Sequence, residues 1–569
     1  MFHIPRTSFA ALALGLIPAL LAPAAQAQAP AGAYLAARHA SFSHDYAAGA
    51  RYYTQALLYD PSNPNLMANA MMSFVGLGDV ELAVGVAEKM AADGVVSQVS
   101  RMVLISHLIK QQKYDQVIDM LSKGEAVSAV VDSLAMGWAE LGRGNMVQAI
   151  EYFGAVAKER GTRAFGLYHM ALALASIGDF TGAERIFSGK AHGPLRATVH
   201  SVFAHVQVLS QLGRNKEALE LLGSVFGDSP DPRIQHVRDA LEAGDKLPFD
   251  VATTPAEGMS EVFFTLANAI EGETDDSYTL VYSRMTEFLK PQNADAVLLS
   301  AGLLERLERF DMATKAYNSI ARSDASFYAA ELGRASALRK AGKTDTAIEV
   351  LQQLVKSHGN LSQVHSALGD LLRRQERYDQ AITAYDQAVR LIGAPLTSDW
   401  FLYYARGICF ERNDQWDKAQ ADFQMALRLK PDQPQVMNYL GYSMVEKGIQ
   451  LQEALTMIKS AVRAQPNDGY ITDSLGWALY RLNRFDEAIG HMERAAQLVP
   501  VDPVINDHLG DTLWAVGRKN EARFQWRRAL SFEPEETDMV RIRRKLEVGL
   551  DQVLHEEGAK PIQRLVEDR

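Results

Sequence analysis

The stretch DSLGWALYRLNRFDEAIGHMERAAQLVP, residues 473–500, contains the pattern that decides the fold. Its first half places Leu475 and Leu479 on one face of an amphipathic helix, and its second half places Ala488 on the apolar stripe of another. Pro500 cannot continue the second helix, so it ends the unit. The stretch therefore predicts a hairpin of two short helices.

The same hairpin recurs along most of the chain. Ala522 lies 34 residues after Ala488, and Ala454 lies 34 residues before it. Fourteen positions follow intervals near this length, apart from a small insertion after Ala381 and a break between Ala218 and Thr279. Eleven of the fourteen are alanine: Gly49, Ala83, Val117, Ala149, Ala183, Ala218, Thr279, Ala313, Ala347, Ala381, Ala419, Ala454, Ala488 and Ala522. One pair of short helices cannot bury its apolar face alone, whereas stacked pairs can. The spacing predicts an all-α solenoid of about fourteen helix pairs.

The frame of Leu-Gly, two alanines and a closing proline in residues 473–500 resembles the tetratricopeptide repeat. The resemblance extends over nearly all of the chain after residue 33 and is strongest from 301 to 534. It implies an α-solenoid coiled as a right-handed superhelix and closed by a C-terminal capping helix. It also implies that the first helix of each pair lines a concave groove that binds peptides.

The repeat spacing predicts two arrays. About six degenerate repeats cover residues 34–227, and about eight clearer repeats cover 259–536. Between them, residues 228–258 are rich in proline and glycine and form a predicted break, with one short helix near 236–243. Residues 537–569 are predicted to form a polar capping helix and tail, because the last repeat would otherwise expose an apolar face to water.

The N-terminal segment has the order of a secretory signal peptide. Arg6 precedes an apolar run of about 15 residues, and Ala25-Gln26-Ala27 supplies a small-x-small cleavage site. We expect residues 1–27 to be removed and the mature chain to be exported to the periplasm. An uncleaved membrane anchor is the alternative, although the run is short for a membrane span. A lipoprotein would need a cysteine at the cleavage site, where the sequence has none.

Composition and motifs argue against several function classes. A net charge of −11 is unfavourable for a general nucleic-acid binder. The single cysteine, Cys409, excludes a cysteine-based zinc cluster and is interpreted as a small buried residue. The run from Ala341 to Thr344 resembles the end of a phosphate-binding loop, but Ala337 replaces the required glycine, which favours a simple turn. The sequence predicts no catalytic residues, cofactor or metal, and hence no enzyme.

The candidate binding site lies on the first helices of the C-terminal repeats. The leucines of residues 473–500 occupy one face of the first helix, and four polar or aromatic residues share the opposite face. With the equivalent positions of neighbouring repeats, the predicted partner-binding groove comprises Tyr404, Asn438, Tyr442, Tyr470, Asp473, Trp477, Tyr480, Asp507, Asp511 and Trp514. Aromatic residues dominate binding hot spots, whereas packing between adjacent repeats is the alternative role of these rings. The carboxylates favour a basic or apolar extended segment as ligand.

The export signal and the repeats together resemble bacterial cell-envelope tetratricopeptide proteins. These include outer-membrane lipoprotein adaptors that bring a carboxyl-terminal processing protease to its substrates, although this chain has no lipobox. The resemblance implies a non-catalytic periplasmic scaffold or adaptor that binds other proteins or extended peptides, with a periplasmic protease or a cell-wall hydrolase as candidate partner. The alternative is a structural component of an outer-membrane assembly or export machine.

A basic cluster near the C-terminus has two interpretations. Arg541, Arg543, Arg544 and Lys545 are flanked by glutamates, which favours the solvated face of a capping helix. Peripheral contact with an anionic membrane is the alternative.

Overall fold

The chain folds as an all-α solenoid. The computed structural model describes residues 29–124, 127–193, 195, 198–559 and 562. This part of the chain contains 31 α-helices, one short 3-10 helix and no strand. The helices form six pairs, a single helix, eight more pairs and two final helices. The prediction of an all-α solenoid of about fourteen helix pairs is confirmed.

The helices of the chain up to residue 358 are α1 (Ala29–Phe42), α2 (Tyr46–Leu57), α3 (Pro64–Leu77), α4 (Val80–Ala92), α5 (Gln98–Lys110), α6 (Tyr114–Ser122), α7 (Ala129–Gly142), α8 (Met146–Lys158), α9 (Arg163–Ser176), α10 (Phe180–Phe187), α11 (Val199–Gln211), α12 (Asn215–Phe226), α13 (Pro232–Glu242), α14 (Pro255–Ile270), α15 (Asp276–Leu289), α16 (Ala294–Arg306), α17 (Phe310–Asn318), α18 (Phe327–Lys340) and α19 (Thr344–His358). The later helices are α20 (Ser362–Arg374), α21 (Tyr378–Ile392), the 3-10 helix Thr397–Asp399, α22 (Trp400–Arg412), α23 (Trp416–Leu429), α24 (Pro434–Glu446), α25 (Leu451–Ala464), α26 (Gly469–Arg481), α27 (Phe485–Leu498), α28 (Pro503–Ala515), α29 (Lys519–Leu530), α30 (Glu536–Val548) and α31 (Leu550–Glu556).

Many helix pairs pack through a glycine on the first helix and a large side chain on the second. A Cβ at Gly510 would lie 2.4 Å from the ring of Trp526, and a Cβ at Gly476 would lie 2.9 Å from Met492. The same contact joins Gly137 to Phe153, Gly369 to Tyr385 and Gly407 to Phe423. Because a larger residue does not fit at these distances, the glycine of the repeat frame sets the separation of the two helices.

The turns between paired helices use a residue in the left-handed backbone region. Asn483 has a φ of 60° between α26 and α27, and Glu376 has a φ of 56° between α20 and α21. Gly342 takes this position between α18 and α19, with a φ of 78°. The run from Ala341 to Thr344 is therefore an inter-helix turn, as the missing glycine indicated.

The chain divides into two compact units. The first unit ends at Val350 and the second begins at Leu351, so the division falls inside α19. The predicted break at residues 228–258 lies within the first unit and contains α13. The break therefore does not coincide with the division between the two units.

In the first unit, the hairpin of α14 and α15 packs against the first helices α3, α5, α7 and α9. A Cβ at Gly258 on α14 would lie 2.3 Å from the ring of Trp138 on α7. The Arg284 guanidinium on α15 donates to the carbonyl of Gly76 at 3.4 Å. Met285 is fully buried in the same core. The chain thus fills this face of its N-terminal repeats with its own helices.

The second unit ends in two helices where the sequence predicts one capping helix. Gly549, with a φ of 86°, separates α30 from α31. A Cβ at this glycine would also lie 2.6 Å from the ring of Trp514. A positive φ and a close approach together favour glycine here, and this glycine lets the capping segment fold back as a helical hairpin.

No helix in the described ranges is both long enough and apolar enough to cross a membrane. The predicted signal peptide, residues 1–27, lies outside the described residues.

Substitution of Gly258 tests the docking of α14 on α7. We expect Gly258→Val to lower the free energy of unfolding by about 1–3 kcal/mol, because the new side chain overlaps the buried Trp138 ring. Urea unfolding followed by circular dichroism measures the change. The matched control is Gly223→Ala in α12, where a Cβ meets nothing within 4 Å. We expect this control to raise the free energy of unfolding by roughly 0.5–1 kcal/mol, because alanine favours a helix interior over glycine. Equal effects of the two substitutions would contradict the packing described.

Candidate functional site

The ten residues of the predicted groove lie on four successive first helices of the second unit. Tyr404 is on α22, Asn438 and Tyr442 are on α24, and four residues are on α26. The last three, Asp507, Asp511 and Trp514, are on α28. The structure therefore brings the ten residues onto one row of helices, but it buries several of them.

Trp477 lies at the centre of a stack of rings. Its indole stacks on the Tyr480 ring at 4.7 Å and on the His508 ring at 3.9 Å, with interplanar angles of 6° and 10°. The indole Nε1 donates to the carboxylate of Glu446 on α24. Trp477 and Tyr480 are both half-buried. Because rings stack on both faces of the Trp477 indole, its accessible surface is what Tyr480 and His508 leave uncovered.

A second group of rings lies on α22 and α24. Tyr404 stacks on Trp400 at 6.1 Å and meets the edge of Tyr439 at 6.0 Å. The Tyr439 hydroxyl donates to Glu411 at 3.2 Å. Tyr442 is half-buried, and burial together with the nearby Glu446 raises the pKa of its hydroxyl. These rings are thus neutral at physiological pH and have both packed and accessible surface.

Tyr470 has the most open side chain of the ten. It is 58% exposed at the start of α26. Val501, which precedes α28, and Val504, the second residue of α28, are also exposed. Val504 lines the same small pocket as Trp477, so apolar surface adjoins the Trp477 ring there.

Asp473 is buried, which corrects its assignment to the open groove. One carboxylate oxygen, Oδ2, pairs with Nδ1 of His508 at 3.0 Å. Burial lowers the pKa of His508, but the carboxylates of Asp473, Asp507 and Asp511 together more than offset it, so the net shift is upward. The contact between His508 and Asp473 joins α26 to α28.

Asp507 and Asp511 are also paired within the chain. Lys545 of α30 is fully buried, and its ammonium lies 2.7–2.9 Å from all four oxygens of these two carboxylates. Asp511 additionally accepts a hydrogen bond from Nε1 of Trp526 at 2.9 Å. Burial and the adjacent Asp511 raise the pKa of Asp507, and Lys545 acts in the opposite direction. The capping helix thus occupies the surface that the sequence assigned to a ligand.

Trp514 is the third residue of α28 that the capping segment covers. Its indole Nε1 donates to Asp551 of α31 at 3.0 Å, and its ring packs on Trp526 at 5.3 Å. Only 7% of Trp514 is exposed. The assignment of Asp511 and Trp514 to an open groove is therefore wrong, because helices α30 and α31 cover both residues.

Seven of the ten predicted residues are half-buried or exposed, and one of these, Asp507, is paired with Lys545. The other six form what we call the aromatic face: Tyr404, Asn438, Tyr442, Tyr470, Trp477 and Tyr480. Three of its five rings also contact rings of neighbouring helices, so the alternative role as packing between helices holds for part of their surface. Their role in binding stays a prediction.

The basic cluster does not form an open cationic surface. Lys545 is buried, Arg541 pairs with Glu557 at 2.8 Å, and Arg544 pairs with Glu556 at 2.7 Å. The interpretation of the cluster as a solvated face is therefore wrong for Lys545, which is the central contact of the cap.

In the described ranges, no group of three or more His, Cys, Asp or Glu side chains could hold a metal ion. Cys409 is buried, and burial raises its pKa to about 12. A thiol with this pKa is a poor nucleophile near neutral pH, which agrees with its interpretation as a packing residue.

The first unit contains a charged network that the repeat spacing does not predict. His200 at the start of α11 lies between two carboxylates, with Nδ1 3.0 Å from Glu261 and Nε2 3.1 Å from Asp295. Tyr168 donates to Glu261 at 2.9 Å, and Arg233 donates to Asp295 at 2.6 Å. Four helices and the break segment contribute to this network, and no spacing within one repeat signals it.

The helix pairs also match known repeat sequences. A family model described as tetratricopeptide repeat matches residues 332–395, 366–434 and 450–503. The TPR repeat-containing protein PA4667 of Pseudomonas aeruginosa is 24% identical over 163 residues. That alignment covers 28% of this chain and 27% of the relative, so the similarity spans about a quarter of each protein.

Solved structures with similar helix arrangements include two of low sequence identity. The APC/C hetero-tetramer Cut9–Hcn1 aligns over 92% of this chain and 97% of its own, at 15% identity and a TM-score of 0.39. A tetratricopeptide repeat protein from Parabacteroides merdae aligns over 46% of this chain and 99% of its own, at 14% identity and a TM-score of 0.38. The fold assignment rests on the helix pairs and on the repeat match.

The fold and the row of first helices define an α-solenoid scaffold for protein–protein interaction. The chain is a tetratricopeptide-repeat protein, with matched repeats between residues 332 and 503. Solenoids of this kind typically bind other proteins and are typically non-catalytic.

Substitution of Lys545 tests its role in docking the cap. We expect Lys545→Met to lower the free energy of unfolding by about 3–5 kcal/mol, because Asp507 and Asp511 would lose their shared buried cation, and the remaining ion pair of Asp511 with Arg541 is longer, at 3.4 Å. Urea unfolding and faster hydrogen exchange in α30 and α31 measure the effect. The matched control, Arg543→Met on the exposed side of α30, should change stability by less than about 0.5 kcal/mol. Unchanged exchange in the Lys545 variant would refute the assignment.

The network around His200 predicts a pH dependence of stability. Burial lowers the pKa of His200, but the carboxylates of Glu261 and Asp295 more than offset this and raise it from 6.5 to about 10. Because the pKa of His200 is higher in the folded chain than in the unfolded chain, the ion pairs of protonated His200 stabilise the fold. This stabilisation is complete below pH 6.5 and is lost as the pH rises through about 10. The difference in unfolding free energy between wild type and His200→Gln should therefore shrink between these pH values. The exposed His39→Gln serves as control, and a constant difference for His200→Gln would contradict the ion pairs.

Proposed function

We propose that this protein is a non-catalytic periplasmic adaptor that binds an extended segment of a partner protein on its aromatic face. The observation that carries the proposal is the ring stack at Trp477, where half-buried indole and phenol rings on adjacent turns of α26 keep accessible surface. Rigid aromatic side chains supply large contact area at low entropic cost, which is why they dominate binding hot spots.

The contacts on this face favour an apolar ligand over a basic one. The sequence alone favours a basic and an apolar ligand equally, because it indicates no partner within the chain for the carboxylates of Asp473, Asp507 and Asp511. His508, Lys545 and Arg541 already pair with these carboxylates inside the fold. A basic ligand would have to displace them, whereas an apolar or aromatic segment packs on the open rings without breaking an ion pair.

The class of partner follows from the export signal and the family resemblance. A small-x-small cleavage site after a short apolar run supports action outside the cytoplasm. The resemblance to envelope adaptors supports a periplasmic protease or cell-wall hydrolase as the protein recruited. Adaptors act by holding two proteins close together, which raises their effective concentration.

A pull-down with the mature chain tests the proposal. Wild-type protein should capture a protease or hydrolase from periplasmic extract. Trp477→Ala combined with Tyr480→Ala should weaken capture by about 2 kcal/mol or more, equivalent to roughly thirtyfold in Kd, because the central rings of the face are lost. Binding of the purified partner by calorimetry gives the magnitude.

Two further variants separate binding from folding. Phe524→Ala removes an exposed ring on α29, outside the aromatic face, and should leave capture unchanged. Tyr470→Ala removes the most exposed ring of the face at little cost in stability and should weaken capture measurably. If the double variant keeps every partner, the aromatic face is not the binding site. Recovery of outer-membrane assembly or export components in place of a soluble hydrolase would favour the alternative, a structural part of such a machine.

A further inference from the structure

The first unit contains a cavity of about 590 Å³ beside the charged network. Helices α9, α11, α14 and α16 line it, together with Arg233 of α13. Binding pockets for small organic groups typically have volumes of about 300–1,000 Å³. The α14–α15 hairpin packs against α3, α5 and α7. The cavity lies farther along the chain of repeats, where residues of α9 and α16 line it.

One wall of the cavity is apolar. Phe165 of α9, Phe264 of α14 and Leu299 of α16 line it. Val199, the first residue of α11, also lines the cavity and is 46% exposed. Apolar surface of this kind gains free energy when a ligand removes it from water.

The cavity also has a charged wall, formed by His200, Arg233 and Asp295. The cations His200 and Arg233 pair with three carboxylates, Glu261, Asp295 and Asp231, so every charge of this network already has a partner of opposite sign. The His200 ring also stacks on Phe264 at 4.3 Å, which joins the charged wall to the apolar one. A charged ligand would have to displace one of these partners or stay unpaired in a partly buried site, and both are unfavourable.

The charged wall keeps hydrogen-bonding capacity of both kinds. Arg233 donates to Asp231 and to Asp295, and a guanidinium has more N–H donors than these bonds use. Each oxygen of Asp295 accepts one hydrogen bond, from Arg233 or from His200, and each has a further lone pair. A peptide amide carries one donor and one acceptor, and it matches this pair of groups without adding charge.

We propose that this cavity binds a large apolar side chain of a partner protein, with the adjoining backbone amides meeting Arg233 and Asp295. The site lies in the first unit and is separate from the aromatic face, so it gives the adaptor a second point of attachment. This proposal rests on the proposed function in one respect: the side chain that binds in the cavity belongs to a partner protein.

Blocked amino-acid amides test the chemistry of the site directly. The probes are N-acetylphenylalaninamide, which carries a ring and two neutral amides, and N-acetylglycinamide, which has the amides alone. Phenethylammonium and 3-phenylpropionate carry the same ring with a positive or a negative charge. Saturation-transfer NMR on the full mature chain detects binding, and titration gives each Kd. We expect the phenylalanine amide to bind at least about tenfold more tightly than the other three probes.

A matched pair of tryptophan substitutions places the binding in the cavity. Ala269→Trp adds a ring at an exposed position on the cavity wall and should raise the Kd of the phenylalanine amide at least about tenfold. Ala92→Trp makes the same change at an exposed position of α4, away from the cavity, and should not alter the Kd. Circular dichroism verifies that both variants stay folded.

The outcomes separate this proposal from the proposed function. No saturation transfer to the phenylalanine amide, tighter binding of a charged probe, or equal binding to the Ala269→Trp variant would each overturn the proposal. Trp477→Ala with Tyr480→Ala should leave probe binding unchanged, because these rings belong to the second unit. Loss of partner capture in that variant with intact probe binding supports both sites independently.

Discussion

In the clearest repeats, the glycine of the first helix lies against a large side chain of the second helix, and the rest of the structure depends on this contact. At Gly510, a Cβ would come within 2.4 Å of the Trp526 ring, so the two helices approach more closely than any other residue would permit. This separation determines which side chains of the first helix point toward the next pair and which stay open. The aromatic face and the capping contacts of α28 both follow from that arrangement.

The helix pairs could be predicted from the sequence because their signals are local. Alanine rungs, glycines and closing prolines recur at a fixed spacing, and each has a physical role within one hairpin. The predicted break also contains a helix, although the division between the compact units falls elsewhere. Within the first unit, α14 and α15 pack against α5 and α7, which lie more than a hundred residues earlier. No local pattern encodes contacts of that range.

The candidate site shows the same limit at the level of single residues. Helical spacing correctly placed Trp477 and Asp511 at equivalent positions of neighbouring repeats. It could not show that Lys545 is buried against Asp511, because a basic residue on a polar terminal helix usually faces water. The network of His200, Glu261 and Asp295 joins residues 61 and 95 positions apart, and none of them stands out in its own repeat.

The α14–α15 hairpin has a consequence for how the chain is built and how it can change. In an open solenoid each repeat contacts only its neighbours, so repeats can be gained or lost without disturbing distant ones. Here Arg284 reaches the carbonyl of Gly76 across 208 positions, and Ser106 meets Met285 across 179. The early repeats cannot complete their core until the hairpin has left the ribosome or the export channel, and contacts of such separation form slowly. The number of repeats between α3 and α15 is therefore fixed. Inserting or deleting a repeat would shift the residues that contact the α14–α15 hairpin out of register with it.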